Sequence, residues 1–285
     1  MRPRVEVCLV SYDSGEDILK AIASVAEHLP TALIAIQENS HSTRTLDRIT
    51  EHAEHSSQPI RTLHDASNPG FGAACNVLAE TSTAEWLLFL NPDATIIAWP
   101  FDDRPPPQRQ ISGPGRIEAT RPESHRGVTY SVLDEVRRSW FRHSGPAPST
   151  TGFVSGAALL VNRDDFLSLD GFDEGFFLFY EDIDFCLRAN AAGISTESVD
   201  GFAVTHEGAH ATSAHFDHSL IWSYESACRF HRLHGHSLVG YRWYVTADSL
   251  ARWALQALYR NGTRRRAYGG LLRRVLTDLT RRNPA

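Results

Sequence analysis

The sequence predicts an α/β protein with a mainly parallel central sheet flanked by helices, followed by a C-terminal helical extension. Two observations carry this prediction. Over residues 5–90, short apolar segments that suit buried strands alternate with segments of helical periodicity, which is the pattern of βαβ units. After residue 215 only helical periodicity remains, and the chain becomes strongly basic.

The first strands and helices follow one another in regular order. Each predicted strand is mostly apolar, and each predicted helix has one apolar face. The predicted strands are Val5–Ser11, Ala32–Gln37, Ile60–Leu63 and Trp86–Leu90, and the helices between them are Glu16–Ala26, Thr43–Glu54 and Gly70–Glu80.

Polar, turn-forming residues follow these four strands. Ligands of parallel sheets bind outside the carboxyl ends of the strands, so these segments are the candidate binding site. They are Ser11–Asp13, Glu38–Ser40, Asn68–Gly72 and Asn91–Asp93.

The second half of the chain begins with an irregular segment. Residues 99–151 are rich in Pro, Gly, Arg and Ser, and we expect a long excursion that acts as a substrate loop or lid, with one helix over Val132–Phe141. Regular structure then returns. We predict strands over Phe153–Val161 and Ser198–Thr205 and helices over Phe216–His234, Tyr241–Arg260 and Leu271–Leu279.

Composition narrows the class of protein. The 285 residues suffice for a large core, and no apolar run is long enough to cross a bilayer. The N-terminus shows no signal peptide, and four widely spaced cysteines indicate reduced core thiols, so we expect a cytoplasmic protein. The net charge is −6, but the segment from Arg229 onward holds 12 arginines against two acids, which suggests an anionic partner.

Three carboxylates lie together in Glu181–Asp184, directly after the apolar run Phe176–Tyr180. Carboxylates beside an apolar wall are incompletely solvated, and this raises their pKa towards the range of a general base. The alternative is structural, because acidic residues also stabilise the first turn of a helix.

Several stretches together resemble the inverting, metal-dependent family 2 glycosyltransferases of GT-A fold, and among them the bacterial rhamnosyltransferase-like branch. The resemblance covers about two thirds of the chain. Its most specific parts are NPGFGAACN (68–76), LNPDA (90–94) and GFDEGFFLFYEDIDFCLR (171–188).

The resemblance implies a catalytic base and a positioning acid. The reaction would displace a nucleoside diphosphate from a sugar donor, best interpreted as dTDP-L-rhamnose or another dTDP- or UDP-sugar, with inversion at the anomeric carbon. Asp182 matches the family's base. Glu181 would position it or contact the donor, and Asp184 would be a structural acid at the helix start.

The same resemblance implies a divalent metal, Mg²⁺ or Mn²⁺. Asp93 matches the last acid of the family's Asp-x-Asp motif, whereas Asn91 replaces the first acid. His206, after the last strand, would complete the metal shell or contact the diphosphate. His210 and His215 are weaker candidates.

Further residues match the nucleotide-sugar site of the family. Tyr12 and Glu38 would stack on or hydrogen-bond the nucleoside base, although the family usually has Asp at the second position. Asn76 would cap or orient the glycine loop. The complete predicted set is Ser11, Tyr12, Glu38, Asn39, Asn68, Gly70, Phe71, Gly72, Asn76, Asn91, Asp93 and Gly156.

The C-terminal segment combines arginines with Trp and Tyr. This suits the headgroups of an anionic membrane, and the resemblance implies lipid-linked acceptors at the inner face of the cell membrane. Helices that pack on the domain or on a second subunit are the alternative, and the acidic body argues against RNA. The residues are Arg264–Arg266, Arg273, Arg274, Arg281 and Arg282, with Tyr241, Trp243, Tyr244, Trp253, Tyr259 and Tyr268.

These observations predict a GT-A domain over residues 1–212 and a helical extension over residues 213–285. The nucleotide-binding half would span about residues 1–98 and the acceptor side about residues 150–212. We expect transfer of a sugar to a lipid-linked or cell-envelope glycan. The sequence is also compatible with a homodimer. The alternatives are a soluble natural product as acceptor and a catalytically silent binding or scaffold subunit.

Overall fold

The computed structural model describes residues 4–101, 106–119, 153–206 and 215–280. Its internal contacts divide these residues into two units. The first unit contains residues 4–101, 106–119, 153–177 and 181–206, and the second contains residues 178–180 and 215–280.

The first unit is built on a mixed eight-stranded sheet. Its strand order is β3-β2-β1-β4-β7-β6-β8-β5. β1 to β4 are parallel, as are β6 and β8, whereas β7 runs antiparallel to both its neighbours and β5 runs antiparallel to β8. The strands are β1 Val5–Ser11, β2 Leu33–Glu38, β3 Ile60–His64, β4 Trp86–Leu90, β5 Ala94–Ala98, β6 Gln110–Ala119, β7 Ala158–Asn162 and β8 Ser195–His206.

Helices cover both faces of this sheet. Along β1, Val7 and Leu9 contribute to one buried cluster with residues of the first helix, whereas Cys8 contributes to a second cluster with residues of the third and fifth helices. The two-residue alternation therefore supplies two cores, as expected for a sheet covered on both sides. The helices are α1 Asp17–His28, α2 Arg44–His55, α3 Phe71–Thr81, α4 Arg163–Ser168 and α5 Glu181–Ala191.

The predicted α/β fold is confirmed, and the predictions for β1–β4 and α1–α3 hold to within two residues at each end. The strand predicted over Phe153–Val161 is wrong in its first half, because β7 begins only at Ala158. A turn precedes it, in which the Ala158 N–H donates to the Ser155 carbonyl at 3.2 Å.

Part of the predicted irregular segment is a regular strand. β6 contains Gly113-Pro114-Gly115, which lie within the segment predicted to be irregular. Pro114 lies at a register shift in the pairing with β8, where a bulge tolerates the missing N–H. A Cβ on Gly113 would lie 2.6 Å from Val154 Cγ1, so the glycine allows close packing. β5 and α4 were also not predicted.

Residues 120–152 lie outside the described residues. The predicted helix over Val132–Phe141 and the predicted substrate lid therefore remain predictions. The same holds for the domain boundary between residues 212 and 213, because residues 207–214 are also outside the described part of the chain.

The second unit consists of helices around its own small core. These are α6 Phe216–Leu233, α7 Leu238–Leu258 and α8 Gly262–Thr280. Tyr224 and Tyr241 stack in the core with ring centroids 6.3 Å apart, and Cys228, Val245 and Val275 fill it. None of the helices in the described ranges is long and apolar enough to span a membrane.

Two of the residues that the sequence analysis assigned to a membrane surface make contacts within the second unit instead. Tyr241 is buried, and the Arg274 guanidinium pairs with Glu225 at 2.9 Å. We therefore do not assign them to a surface for an anionic partner.

Candidate active site

The carboxyl ends of β1 and β2 are joined by hydrogen bonds around Glu38. The Ser11 hydroxyl donates to Glu38 Oε2, and the backbone N–H groups of Asp13 and Ser40 donate to Glu38 Oε1 at 3.1 and 2.9 Å. The Asn39 N–H donates to the Ser11 carbonyl at 2.8 Å. Glu38 is fully buried, so its carboxylate orders the two loops from inside.

Two neighbours of Glu38 differ in exposure. Tyr12 is 37% exposed at this edge of the sheet, which leaves ring surface that a nucleoside base could contact. Asn39 is buried, and its side-chain oxygen accepts from Gln37 Nε2 at 3.0 Å. The roles of Ser11, Tyr12 and Asn39 in nucleotide binding remain predictions.

A tight backbone approach shapes the loop before α3. Asn68 and Gly70 have φ of +50° and +101°, and a Cβ on Gly70 would lie 2.5 Å from the Phe177 carbonyl oxygen. That same oxygen accepts from the Phe71 N–H at 3.0 Å. A Cβ on Gly72 would lie 3.1 Å from Phe172 Cβ and 3.7 Å from Glu181 Cβ. The glycines therefore bring the start of α3 against the acidic segment.

Asn76 orients the segment that leads to the acids. Its side-chain oxygen accepts from the Phe172 N–H at 2.9 Å, and its Nδ2 donates to the Phe172 carbonyl at 2.9 Å and to Glu174 Oε1 at 3.1 Å. The side chain is buried. This agrees with the orienting role that the sequence suggested, and the assignment of Asn76 to the nucleotide-sugar site remains a prediction.

Asp182 is held in place by backbone donors. The Gly156 N–H donates to its Oδ2 at 2.8 Å, and the Ile183 N–H donates to its Oδ1 at 2.8 Å. Both bonds favour the ionised carboxylate, as does its position in the first turn of α5. The Gly156 backbone therefore contacts the Asp182 side chain of this protein.

Glu181 has the opposite environment. It is buried, and its Oε2 has no hydrogen-bond partner among the described residues. Burial, and secondarily the charge of Asp182, raise the pKa of Glu181 well above its ordinary value. Adjacent carboxyl groups whose environments favour opposite protonation states are a recurring arrangement for acid–base chemistry. Burial therefore favours the protonated form of Glu181, whereas the backbone donors favour the ionised form of Asp182.

The backbone directly before Glu181 adopts an uncommon conformation. Phe179 and Tyr180 have φ of +70° and +69°, which costs non-glycine residues on the order of 1–3 kcal/mol each. Such strain is concentrated at functional sites in proteins.

Asp184 is structural, as the sequence suggested. Arg188 Nε donates to Asp184 Oδ2 at 2.7 Å, and the other guanidinium nitrogens donate to the carbonyls of Leu169 and Gly171 at 2.6 and 2.7 Å. Arg188 anchors the loop before the acids, and the sequence analysis missed it. The (i, i+4) spacing of Asp184 and Arg188 was the available signal.

Asp93 and His206 form the candidate metal pair. His206 Nε2 lies 3.1 Å from Asp93 Oδ1 and 3.3 Å from Asn91 Nδ2, because β5 aligns Ala94 with His206. No group of three or more His, Cys, Asp or Glu suited to a metal occurs within the described ranges. Mg²⁺ in nucleotide sites is typically held by one or two carboxylates together with substrate phosphates, and Asp93 supplies one such carboxylate.

The roles suggested for His210 and His215 remain predictions. His210 lies outside the described residues, and His215 precedes α6 in the second unit.

A loop connects the metal pair to the acids. The Asn91 N–H donates to the Ala157 carbonyl at 3.0 Å, and the adjacent Gly156 binds Asp182 as described. Asp93, Asn91, Gly156 and Asp182 therefore lie in one hydrogen-bonded region at the carboxyl end of β4, where a parallel sheet binds its ligand.

Sequence comparisons agree with this geometry. Residues 6–97 match the family described as Glycosyl transferase family 2. The chain is 36% identical over 78 residues to rhamnosyltransferase WbbL of Escherichia coli K12, and this match covers 27% of the chain and 30% of that relative. It is 26% identical over 238 residues to the N-acetylglucosaminyl-diphospho-decaprenol L-rhamnosyltransferase of Mycobacterium tuberculosis H37Rv, covering 72% of the chain and 76% of that relative.

Solved glycosyltransferases share the fold at low sequence identity. GalNAc-T7, solved with UDP, GalNAc and Mn²⁺, superimposes with a TM-score of 0.58 at 13% identity, covering 72% of this chain and 43% of that one. The mannosyltransferase PcManGT of Pyrobaculum calidifontis, solved with GDP-Man and Mn²⁺, gives 0.57 at 15% identity, covering 98% and 88%. This chain is therefore a glycosyltransferase of GT-A fold whose residues 6–97 match family 2, and it is similar to rhamnosyltransferases.

Proposed function

We propose that this protein transfers a sugar from a nucleoside-diphosphate sugar to an acceptor hydroxyl with inversion at the anomeric carbon. The observation that carries the proposal is that Asp182 and the Asp93–His206 pair lie in one hydrogen-bonded region, where two backbone N–H groups orient the Asp182 carboxylate beside the candidate metal pair. Inverting transfer needs one base and one means of stabilising the departing diphosphate.

Asp182 takes the proton of the acceptor hydroxyl. The acceptor oxygen forms a bond to the anomeric carbon as the bond from that carbon to the diphosphate oxygen breaks. The electron pair of the broken bond leaves with the nucleoside diphosphate. The Gly156 N–H fixes the direction of the Asp182 carboxylate before the acceptor arrives, so no reorganisation is needed at the reacting position.

Glu181 keeps its proton and acts as a positioning residue. A second ionised carboxylate beside Asp182 would raise the pKa of the base and repel the diphosphate. With Glu181 protonated, Asp182 is the ionised member of this adjacent pair.

Asp93 and His206 would hold a divalent ion, Mg²⁺ or Mn²⁺, and the ion would neutralise the charge of the departing diphosphate. Support comes from the Mn²⁺ present in both structural neighbours. The nucleoside would lie at the ends of β1 and β2 against Tyr12 and Asn39. The diphosphate and sugar would lie between Asn91 and the loop Asn68–Gly72.

The donor is best assigned as dTDP-L-rhamnose and the acceptor as a lipid-linked glycan. Both assignments rest on the relatives, which are named as rhamnosyltransferases and, in one case, as acting on a decaprenol-linked N-acetylglucosamine. An acceptor of this kind would place the protein at the cytoplasmic face of the cell membrane.

A thermal-shift titration of the full chain with dTDP, UDP and GDP, each with and without Mn²⁺, tests the donor site. We expect stabilisation that requires one nucleotide and the metal together. The Asp93→Asn variant should lose the metal-dependent part, whereas Asp200→Asn, which alters an exposed acid of the same unit, should behave as the unmodified protein. The absence of any nucleotide-dependent shift would contradict the proposal and favour a silent scaffold.

A further inference from the structure

The outward side of α7 carries a continuous apolar stripe. Its large members are strongly exposed: Val239 at 59%, Trp243 at 61%, Leu250 at 51% and Leu258 at 79%. Their spacings of four, seven and eight residues place them on one helical face. The small residues Ala247 and Ala254 continue the same face and are also exposed.

The charged residues of α7 lie away from this stripe. Helical spacing puts Arg242, Asp248 and Arg252 on the other sides of the helix. Arg252 pairs with Asp248 at 2.8 Å, and Arg242 Nη1 donates to the Asp278 carbonyl at 3.2 Å. The stripe therefore contains no charge over about five helical turns, and ordinary soluble helices seldom expose such a face.

A positive cluster begins where the stripe ends. Arg260, Arg264 and Arg266 are exposed directly after Leu258 and Tyr259, and Tyr259 is itself 71% exposed. Arg265 lies over the Trp253 ring at 4.4 Å. No acid occurs in the chain between Asp248 and Asp278, so this stretch itself contributes only positive charge.

Exposed aliphatic side chains, an exposed Trp and Tyr and adjacent arginines suit an interfacial helix on an anionic bilayer. The apolar face enters the headgroup boundary, the aromatic rings lie at the interface, and the arginines contact lipid phosphates. A second copy of the chain fits less well, because an anionic lipid surface neutralises these arginines whereas a second basic helix does not.

We infer that α7 docks flat on an anionic lipid surface through Val239, Trp243, Leu250 and Leu258, with Arg260, Arg264 and Arg266 contacting the headgroups. The inference rests on the proposed function only in so far as a lipid-linked acceptor requires access to a membrane. It assigns the contact to one helix face, whereas the sequence analysis assigned it to all basic and aromatic residues of the C-terminal segment.

Flotation of the full chain with vesicles tests this surface. Vesicles of phosphatidylglycerol and phosphatidylcholine in equal parts should bind the protein, and pure phosphatidylcholine should bind it much less. The double variant Trp243→Glu, Leu250→Glu should weaken binding to the anionic vesicles at least tenfold, since each change removes a buried apolar side chain and adds a repelled charge. Val77→Glu makes the same kind of change at an exposed position of α3 and should leave binding unchanged.

Each of Arg260→Gln, Arg264→Gln and Arg266→Gln should weaken binding about fivefold at low salt. Equal binding to neutral and anionic vesicles, or an unchanged affinity in the double variant, would overturn the inference. So would a dimer in light scattering that Trp243→Glu dissociates, because the face would then be a subunit interface.

The nucleotide titration separates this inference from the proposed function. If metal-dependent stabilisation by a nucleotide is retained while vesicle binding is absent, only the membrane surface is wrong. If vesicles bind and no nucleotide does, only the proposed reaction is wrong. Circular dichroism of each variant confirms that the helices are intact before binding is compared.

Discussion

Replacement of Gly70 by alanine tests whether the start of α3 must approach the backbone before the acids. Gly70 has φ of +101°, and an added Cβ would lie 2.5 Å from the Phe177 oxygen and 3.0 Å from its Cα. The strained dihedral costs about 1–3 kcal/mol. Relief of the overlap would weaken the Phe71–Phe177 hydrogen bond, at a further cost of about 1 kcal/mol. With backbone displacement, we expect a loss of about 3–5 kcal/mol in the free energy of unfolding.

Gly15 offers a matched control. It also has positive φ, at +57°, but an added Cβ would meet nothing within 4 Å. Gly15→Ala should therefore show the dihedral cost alone, about 1 kcal/mol. Urea denaturation followed by circular dichroism measures both variants. Equal losses in the two variants would refute the reasoning, because the close approach to Phe177 would then contribute nothing.

Further predictions concern titration and loop order. Glu181→Gln should be as stable as the unmodified protein or more stable at pH 7, because the raised pKa of Glu181 means that the unfolded chain releases its proton at a lower pH than the folded chain does; a loss of stability in thermal melts would contradict the assignment. Burial beside His236 lowers the pKa of His231 to about 4, so the second unit should lose stability as the pH falls from about 6.5 to 4, and His231→Phe should reduce this loss in melts across that range. Ser11→Ala removes one donor to the buried Glu38 carboxylate and should lower the free energy of unfolding by about 1–3 kcal/mol, whereas Ser67→Ala at an exposed position should change it by less than about 0.5 kcal/mol.

Local sequence patterns predicted much of the first unit and less of the rest. β1–β4 are apolar runs bounded by polar turns, so their positions follow from hydrophobic periodicity. β6 was not predicted because Gly113 and Pro114 are typical of turns. They fit a strand here because Gly113 packs against Val154 and Pro114 lies at a bulge opposite β8. The six-residue helix α4 is too short for a periodic signal, although its Asn162 cap was visible in the sequence.

The candidate active site was likewise predicted only in part from the sequence. The acids and strand-end residues were identified from motifs, whereas their internal partners were not. The Glu38 carboxylate accepts a hydrogen bond from Ser11, 27 residues away, and Asn76 Nδ2 donates to the carbonyl of Phe172, 96 residues away. Such pairings depend on the tertiary fold, and a single sequence does not report them. In the second unit, helical spacing alone could have separated the buried Tyr241 from the exposed Trp243.

The central claim is that Asp182 removes the proton from the acceptor hydroxyl while Glu181 stays protonated. Its most direct measurement is the turnover number of Asp182→Asn with dTDP-L-rhamnose and a polyprenyl-diphosphate-linked N-acetylglucosamine, beside the affinity of the same variant for the donor. We expect turnover to fall about 10²–10⁴-fold, the usual contribution of a general base, with donor affinity unchanged within a factor of a few. Turnover equal to that of the unmodified protein would show that another group is the base.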